Sequence, residues 1–311
     1  MRRHLVCLTL DTDPDGLSGA STDRRTLKWE GLEHARGLPD ALADRVGRVP
    51  VTWFIRADGQ LRNILGSTTY LLEEFSSLWE AARARGDELA WHPHLYRQLK
   101  TEDEPVIITS PAEAAEELEG LWSELRSSFP ATAFRNGEGW HLPATYACVE
   151  RLGFRSDSTA IPGRCGSPGH PMDWRGTPNQ PYFPDRADLR RAGPCRDMLE
   201  LPMNSWTFAA PYDAAPKTRY MNPAVHPELF ARALRDWENT LAALLQELCV
   251  WVLILHPDEL WPARAPDLLY ACSIEAVCSN LMNLAATLTR AGDTLEWTTV
   301  SQAASRWTAR G

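Results

Sequence analysis

Leu5-Val6-Cys7-Leu8-Thr9-Leu10-Asp11-Thr12-Asp13 is a short apolar run that breaks abruptly at two acids. A run of this length without polar alternation has the pattern of a strand buried on both faces, as in a parallel sheet. Acidic and turn residues continue to Gly19, so a functional loop is expected after the strand. The same arrangement recurs along the chain. Strands are predicted over Pro50–Arg56, Glu88–Trp91 (ending at His92), Ala133–Arg135, Phe154–Ser158, Leu199–Pro202, Cys249–Leu255 (ending at His256) and Leu295–Val300.

Helical spacing lies between these strands. Leu71, Leu72, Phe75, Leu78, Trp79 and Ala82 predict a helix over Leu71–Arg85, stopped by Gly86. Ser110-Pro111-Ala112-Glu113 reads as a helix start with a capping box, the helix running to Ser127. Further helices are expected over Pro143–Leu152, Pro227–Leu248 and Ile274–Ala291. Residues 161–198 are rich in Pro, Gly and Arg and lack periodicity, so a long irregular insertion is expected there. Strands alternating with helices predict a parallel sheet or barrel of the α/β class, here as one catalytic domain over 1–311. In such folds functional residues stand at the C-terminal ends of strands. Asp11, His92, Arg135, Asp157 and His256 all stand there.

Composition narrows the function. The 311 residues are 44% hydrophobic and 23% charged, enough apolar content for a substantial core. A net charge of -9 argues against a nucleic-acid partner, which needs a basic face. No stretch approaches the roughly 20 apolar residues of a membrane span. Met1-Arg2-Arg3-His4 starts like a secretion signal, but Asp11 ends the apolar run short of the ~7–15 residues a signal core needs. The seven cysteines are scattered without a Cys-x-x-Cys pair, which suggests neither a zinc knuckle nor a disulfide framework. A cytoplasmic enzyme is expected.

The strand-end residues have defined chemical uses. Asp11 and Asp13 can divide labour at a metal, one ligating and the other remaining a base; a solvated turn is the alternative. His92 and His94 flank Pro93, and in extended backbone both rings share a face and can reach one ion. His256, at the mouth of an apolar strand, suits a general acid; alternatively Asp258 or Glu259 holds it for structural reasons. Arg135 and Asp157 form an ordinary ion pair, or else Arg135 orients an Asp base and Asp157 orients His256. Trp91, Trp140, Trp174 and Trp206 can stack on sugar faces, although most of 13 tryptophans must be packing residues.

The ordered set resembles the polysaccharide deacetylase (NodB-homology, carbohydrate esterase) superfamily. The matching pieces are Leu8-Thr9-Leu10-Asp11-Thr12-Asp13, Trp91-His92-Pro93-His94, Phe134-Arg135-Asn136-Gly137, Ser156-Asp157-Ser158 and Leu253-Ile254-Leu255-His256. The resemblance implies a distorted (β/α) barrel of about seven parallel strands. It implies metal-assisted hydrolysis of an N-acetyl or other N-acyl amino sugar. It makes Asp11 the general base, Asp13 and His92 metal ligands, His256 the general acid, and Arg135 with Asp157 a supporting pair.

The pattern departs from the family's in places. Thr12 separates two acids that are commonly adjacent. The family's second histidine lies four residues after the first; here that place is Tyr96, so His94 is expected as the third ligand. The usual Pro-Tyr after Arg135 is missing. Trp91, Tyr96, Asn136, Gly137, Trp140 and Trp206 are expected to contact substrate. The expected cofactor is a divalent ion, zinc first, with cobalt, nickel, iron or manganese also suited. The expected substrate is a small molecule or glycan precursor. The alternatives are a deformylase or cyclic-amide hydrolase on the same scaffold, and an inactive carbohydrate-binding barrel.

Overall fold

The computed structural model describes residues 1–15, 27–97, 106–264, 266–290 and 292–309. Its strands are β1 (Arg3–Asp11), β2 (Val51–Arg56), β3 (Glu88–His92), β4 (Tyr96–Arg97), β5 (Val106–Ile107), β6 (Ala133–Phe134), β7 (Ser156–Asp157), β8 (Leu199–Glu200), β9 (Ser205–Phe208), β10 (Lys217–Tyr220), β11 (Leu248–Leu255) and β12 (Thr294–Trp297). The main sheet runs β11-β1-β2-β3-β6-β7-β8, with β12 also paired to β1. All its pairings are parallel. Helices connect most of the successive strands, β7 and β8 being joined instead by the irregular 161–198 stretch, and the sheet curls into a distorted (β/α) barrel.

β1 is the centre of the fold. β11 pairs with it along Arg3–Leu10 on one side. On the other side β12 takes Arg3–Val6 and β2 takes Leu8–Asp11. Leu5, Val6, Cys7, Leu8 and Leu10 are fully buried, as an apolar run sandwiched between strands requires.

Side chains close the barrel where no strand lies. Gln180 offers Val250 both halves of a strand pairing: its Oε1 accepts from Val250 N (2.8 Å) and its Nε2 donates to Val250 O (3.1 Å). Asn204 Oδ1 accepts from Val252 N (2.6 Å), and Ile254 N donates to Met221 O (3.1 Å). The N–H groups of the alternate residues Val250, Val252 and Ile254 are thereby satisfied along what would otherwise be an open edge of β11. Gln180 belongs to the irregular 161–198 stretch, whose pairing is limited to isolated bridges such as Cys165 with Asp173 and Pro184 with Ala192.

Some local expectations are corrected. The 71–85 helix is two, Tyr70–Glu74 and Ser76–Arg85, broken at Phe75. There the Trp79 indole N–H donates to the Leu71 carbonyl (2.8 Å). The helix from Pro227 ends at Ala242. The chain must turn before Leu248 enters β11 alongside Arg3, and continued helix would forbid that pairing. The capping box at Ser110 does not form: the Ser110 side chain makes no cap bond, and Arg97 takes the Glu113 carboxylate. The β9–β10 hairpin was not foreseen. The expected loop residues from 16 to Gly19, and position 291, lie outside the described residues.

Candidate active site

Strand register sets the site. β2 and β3 end level, Arg56 opposite His92, and Phe134 of β6 faces Asp157 of β7. The strand ends surround a cavity of about 570 Å³ that Asp11, Asp13, His92, His94, Arg135 and His256 all line.

Thr12 accounts for the paired acids. Its N–H donates to Phe54 O (3.0 Å) and its Oγ1 accepts from Arg56 N (2.9 Å), extending the β1–β2 seam by one residue. Asp11 and Asp13 therefore turn together toward the cavity. Arg135 is fully buried and holds Asp11. Its Nη1 donates to Asp11 Oδ1 (2.5 Å) and to Thr9 Oγ1 (2.9 Å), and its other nitrogens to Ser158 O and Oγ. The guanidinium lies 3.9 Å over the Phe54 ring.

Asp13, His92 and His94 converge. Their donor atoms all lie within 4.8 Å of one another, and all three residues are buried. His92 Nδ1 sits 3.0 Å from Arg135 O; a carbonyl only accepts, so Nδ1 carries the proton and the Nε2 lone pair faces the cluster. His94 Nε2 is 3.3 Å from His92 Nε2 and 3.1 Å from Asp13 Oδ1. The His94 backbone N–H is pinned by Asp58 (3.1 Å), which also holds Arg56 (2.8 Å); Arg56 reaches Asp13 (3.2 Å). Gly137 leaves room for the His94 ring: a Cβ there would stand 2.2 Å from Cδ2.

The electrostatics call for positive charge in this cluster. Burial alone would raise the Asp13 carboxyl, but His94 and His92 hold it well below the usual range. Burial likewise opposes charge on His92, and Asp11 and Asp13 still push its imidazole up. Protons or a divalent ion satisfy such a set, and two imidazoles with one carboxylate form a donor set that fits zinc or a related ion.

His256 stands on the other side of Asp13, its Nε2 4.0 Å from Asp13 Oδ2. Glu259 orients it, 3.2 Å from Nδ1 and accepting from the His256 backbone N–H (2.9 Å); Asn222 steadies Glu259 (2.8 Å). Burial lowers His256, and Tyr220 with Glu259 reverse this to raise it well above the ordinary value.

Several expected roles do not fit this geometry. Asp157 meets neither Arg135 nor His256. It is fully buried, accepts from His141 Nε2 (2.9 Å) and Thr159 N (2.8 Å), and braces the wall from behind. Trp91 precedes His92 on one strand, so it points away from the cavity, donates to Ala57 O (2.9 Å) and stacks on Trp122 and Phe154. Trp140 is buried outside the cavity lining, and the Trp174 indole is spent on Gly139 O (2.6 Å). Trp206 packs on Phe208 and Phe230 and borders a different cavity. Tyr96 and Asn136 do line the pocket.

The sequence reading missed Arg56, Asp58, Glu138, Arg164 and Tyr220; Glu259 it offered only as an alternative holder of His256, and Glu259 does hold it. Arg56 carried a signal, since it ends a strand as His92 does. Glu138 sits between two glycines in the left-handed region (φ 57°), a conformation uncommon for a residue with a side chain. It accepts from the Tyr96 hydroxyl and stands 3.8 Å from His94 Nδ1.

No family profile and no curated protein matches the chain. Solved structures do. A Parabacteroides distasonis protein described as a glycoside hydrolase/deacetylase matches all of this chain and 72% of its own, at 16% identity and TM-score 0.63. A family 4 carbohydrate esterase from Streptomyces lividans, in complex with acetate, matches 94% of this chain and 91% of its own at 14% identity, TM-score 0.40. A Bordetella bronchiseptica protein described as a polysaccharide deacetylase involved in O-antigen biosynthesis matches 90% and 88% at 15% identity, TM-score 0.40. The first likeness carries the fold, a distorted (β/α) barrel. Among the described residues no helix is long and apolar enough to cross a membrane.

Proposed function

We propose that this NodB-type barrel is a metal-dependent amide hydrolase that removes an N-acetyl or other N-acyl group from an amino-sugar-containing small molecule or glycan precursor. The observation that carries the reading is one cavity holding three convergent ligands, Asp13, His92 and His94, with Asp11 and His256 beside them. Asp13, His92 and His94 would hold the ion, zinc being the best match to two imidazoles and a carboxylate. Bound there, a divalent ion supplies Lewis acidity, polarising an amide carbonyl and acidifying water.

The chain's own groups perform the proton transfers. Arg135 occupies Asp11 Oδ1, so Oδ2 remains to accept a proton from the attacking water. Arg135 also gives the buried Asp11 carboxyl a direct cationic partner. Glu259 fixes His256 through Nδ1, leaving Nε2 facing the cavity to protonate the departing amine. That transfer makes the C–N cleavage productive, because an unprotonated amine is a poor leaving group. The apolar wall of Ile107, Ile161, Met172, Met203 and Ile254 limits water around the acyl group. We place the reaction in the cytoplasm, a reducing compartment that suits a chain forming no disulfide among the described residues.

A panel of N-acetyl, N-formyl and cyclic-amide substrates, assayed with zinc-loaded protein, tests the assignment. Release of acetate and a free amine from N-acetyl hexosamines is expected. Turnover of the formyl or ring amides alone would reassign the reaction, and turnover of none would favour an inactive sugar-binding barrel.

A further inference from the structure

The irregular segment 161–198 carries six arginines. Four of them have carboxylate partners: Arg175 with Asp173 (2.8 Å), Arg190 with Asp188 (2.8 Å), Arg191 with Asp188 (3.3 Å) and Arg196 with Glu150 (2.7 Å). Arg186 is exposed to solvent. Arg164 differs from all of these. It is half-buried, it lines the catalytic cavity, and it has no carboxylate partner among the described residues. The acids sharing that cavity are already engaged: Asp11 by Arg135, Asp13 by Arg56 and the imidazoles, Glu138 by the Tyr96 hydroxyl.

The backbone under Arg164 is built to hold it still. Gly163 N donates to Trp174 O (2.9 Å) and Trp174 N donates to Arg164 O (2.8 Å), tying the turn to Trp174, whose indole is fixed on Gly139. Gly163 turns the chain in the left-handed region (φ 81°). The guanidinium carbon lies 5.5 Å over the Tyr220 ring, and that ring is 6.1 Å from His256. The cation thus stands on the His256 side of the cavity, the side where the departing amine is protonated.

We propose that the substrate bears an anionic group, a carboxylate or a phosphate, on its amine-bearing half, and that Arg164 binds it. The forked guanidinium matches either anion through paired N–H donors. A cation preorganised in a partly dry pocket without an acid of its own gains most from a ligand that supplies one. The inference rests on the amide-hydrolase reading for which half of the substrate is the amine.

Calorimetric titration of zinc-loaded protein with three amine products decides it: glucosamine, glucosamine 6-phosphate and 2-amino-2-deoxyglucuronic acid. At least one anionic amine is expected to bind on the order of 10- to 100-fold more tightly than glucosamine. The tighter of the two identifies the anion. In Arg164→Gln that ratio should collapse toward one, and Arg164→Lys should restore part of it. No anionic advantage in the wild type overturns the proposal. So does an advantage that Arg164→Gln leaves intact, since the anion would then be binding the ion instead. Failure to hydrolyse any N-acyl substrate, with the anion preference present, would count against the amide-hydrolase reading alone.

Discussion

Asp11→Asn is expected to lower turnover by about 10²–10⁴-fold while the fold and the bound ion remain. The two side chains are nearly isosteric, and an amide oxygen still accepts from Arg135 Nη1, now at 2.5 Å from Asp11 Oδ1. What disappears is a group that can take up a proton. The ligands Asp13, His92 and His94 are untouched, so metal content should match the wild type. Steady-state kinetics with elemental analysis on the same preparation separates the cases. Turnover within a few-fold of wild type would remove Asp11 from the base role, and loss of the ion would make it a ligand instead.

The second large effect concerns stability. Arg135→Met should destabilise the protein by roughly 3–5 kcal/mol, the usual consequence of stranding one partner of a buried ion pair. Arg135 is fully buried, with donors placed on Asp11, Thr9 and Ser158. Methionine fills much of the volume over Phe54 but strips the Asp11 carboxylate of its arginine counter-charge, leaving only the His92 imidazole at 3.7 Å. The double variant Arg135→Met with Asp11→Asn should recover part of the loss. Urea denaturation of the four proteins gives the coupling energy. A single variant as stable as the wild type would show that this contact does not stabilise the fold.

Much of this site was legible because strand ends carry local signals. An apolar run that stops at Asp11, His92 or His256 marks both the strand and the residue it delivers. The same alternation contained a correction that was not drawn: Trp91 and His92 are neighbours on β3, so only one of them can face the cavity. Glu259 was readable as a partner of His256 because it lies three residues away, within one tight turn. The partner of Asp157 was not readable. His141 reaches it from a loop across the barrel wall, and no periodicity links the two positions. Gln180, which closes the barrel against Val250, is likewise set by tertiary geometry seventy residues away in sequence. The β9–β10 hairpin that delivers Tyr220 was obscured by Pro211 and Pro216 in its connection, which read as loop. Gly137 was taken for a substrate contact; its lack of a side chain instead admits the His94 ring.

His94 is where the expected pattern and this chain differ most, and the structure seats it at the cluster. Titration of zinc into chelator-treated protein therefore tests the central claim most directly. Wild type and Asp11→Asn should each bind one ion per chain. His92→Ala and His94→Ala should each weaken binding by more than the 10–100-fold that loss of an outer-shell partner costs. Absence of stoichiometric binding in the wild type, or unchanged affinity in both histidine variants, would contradict the account.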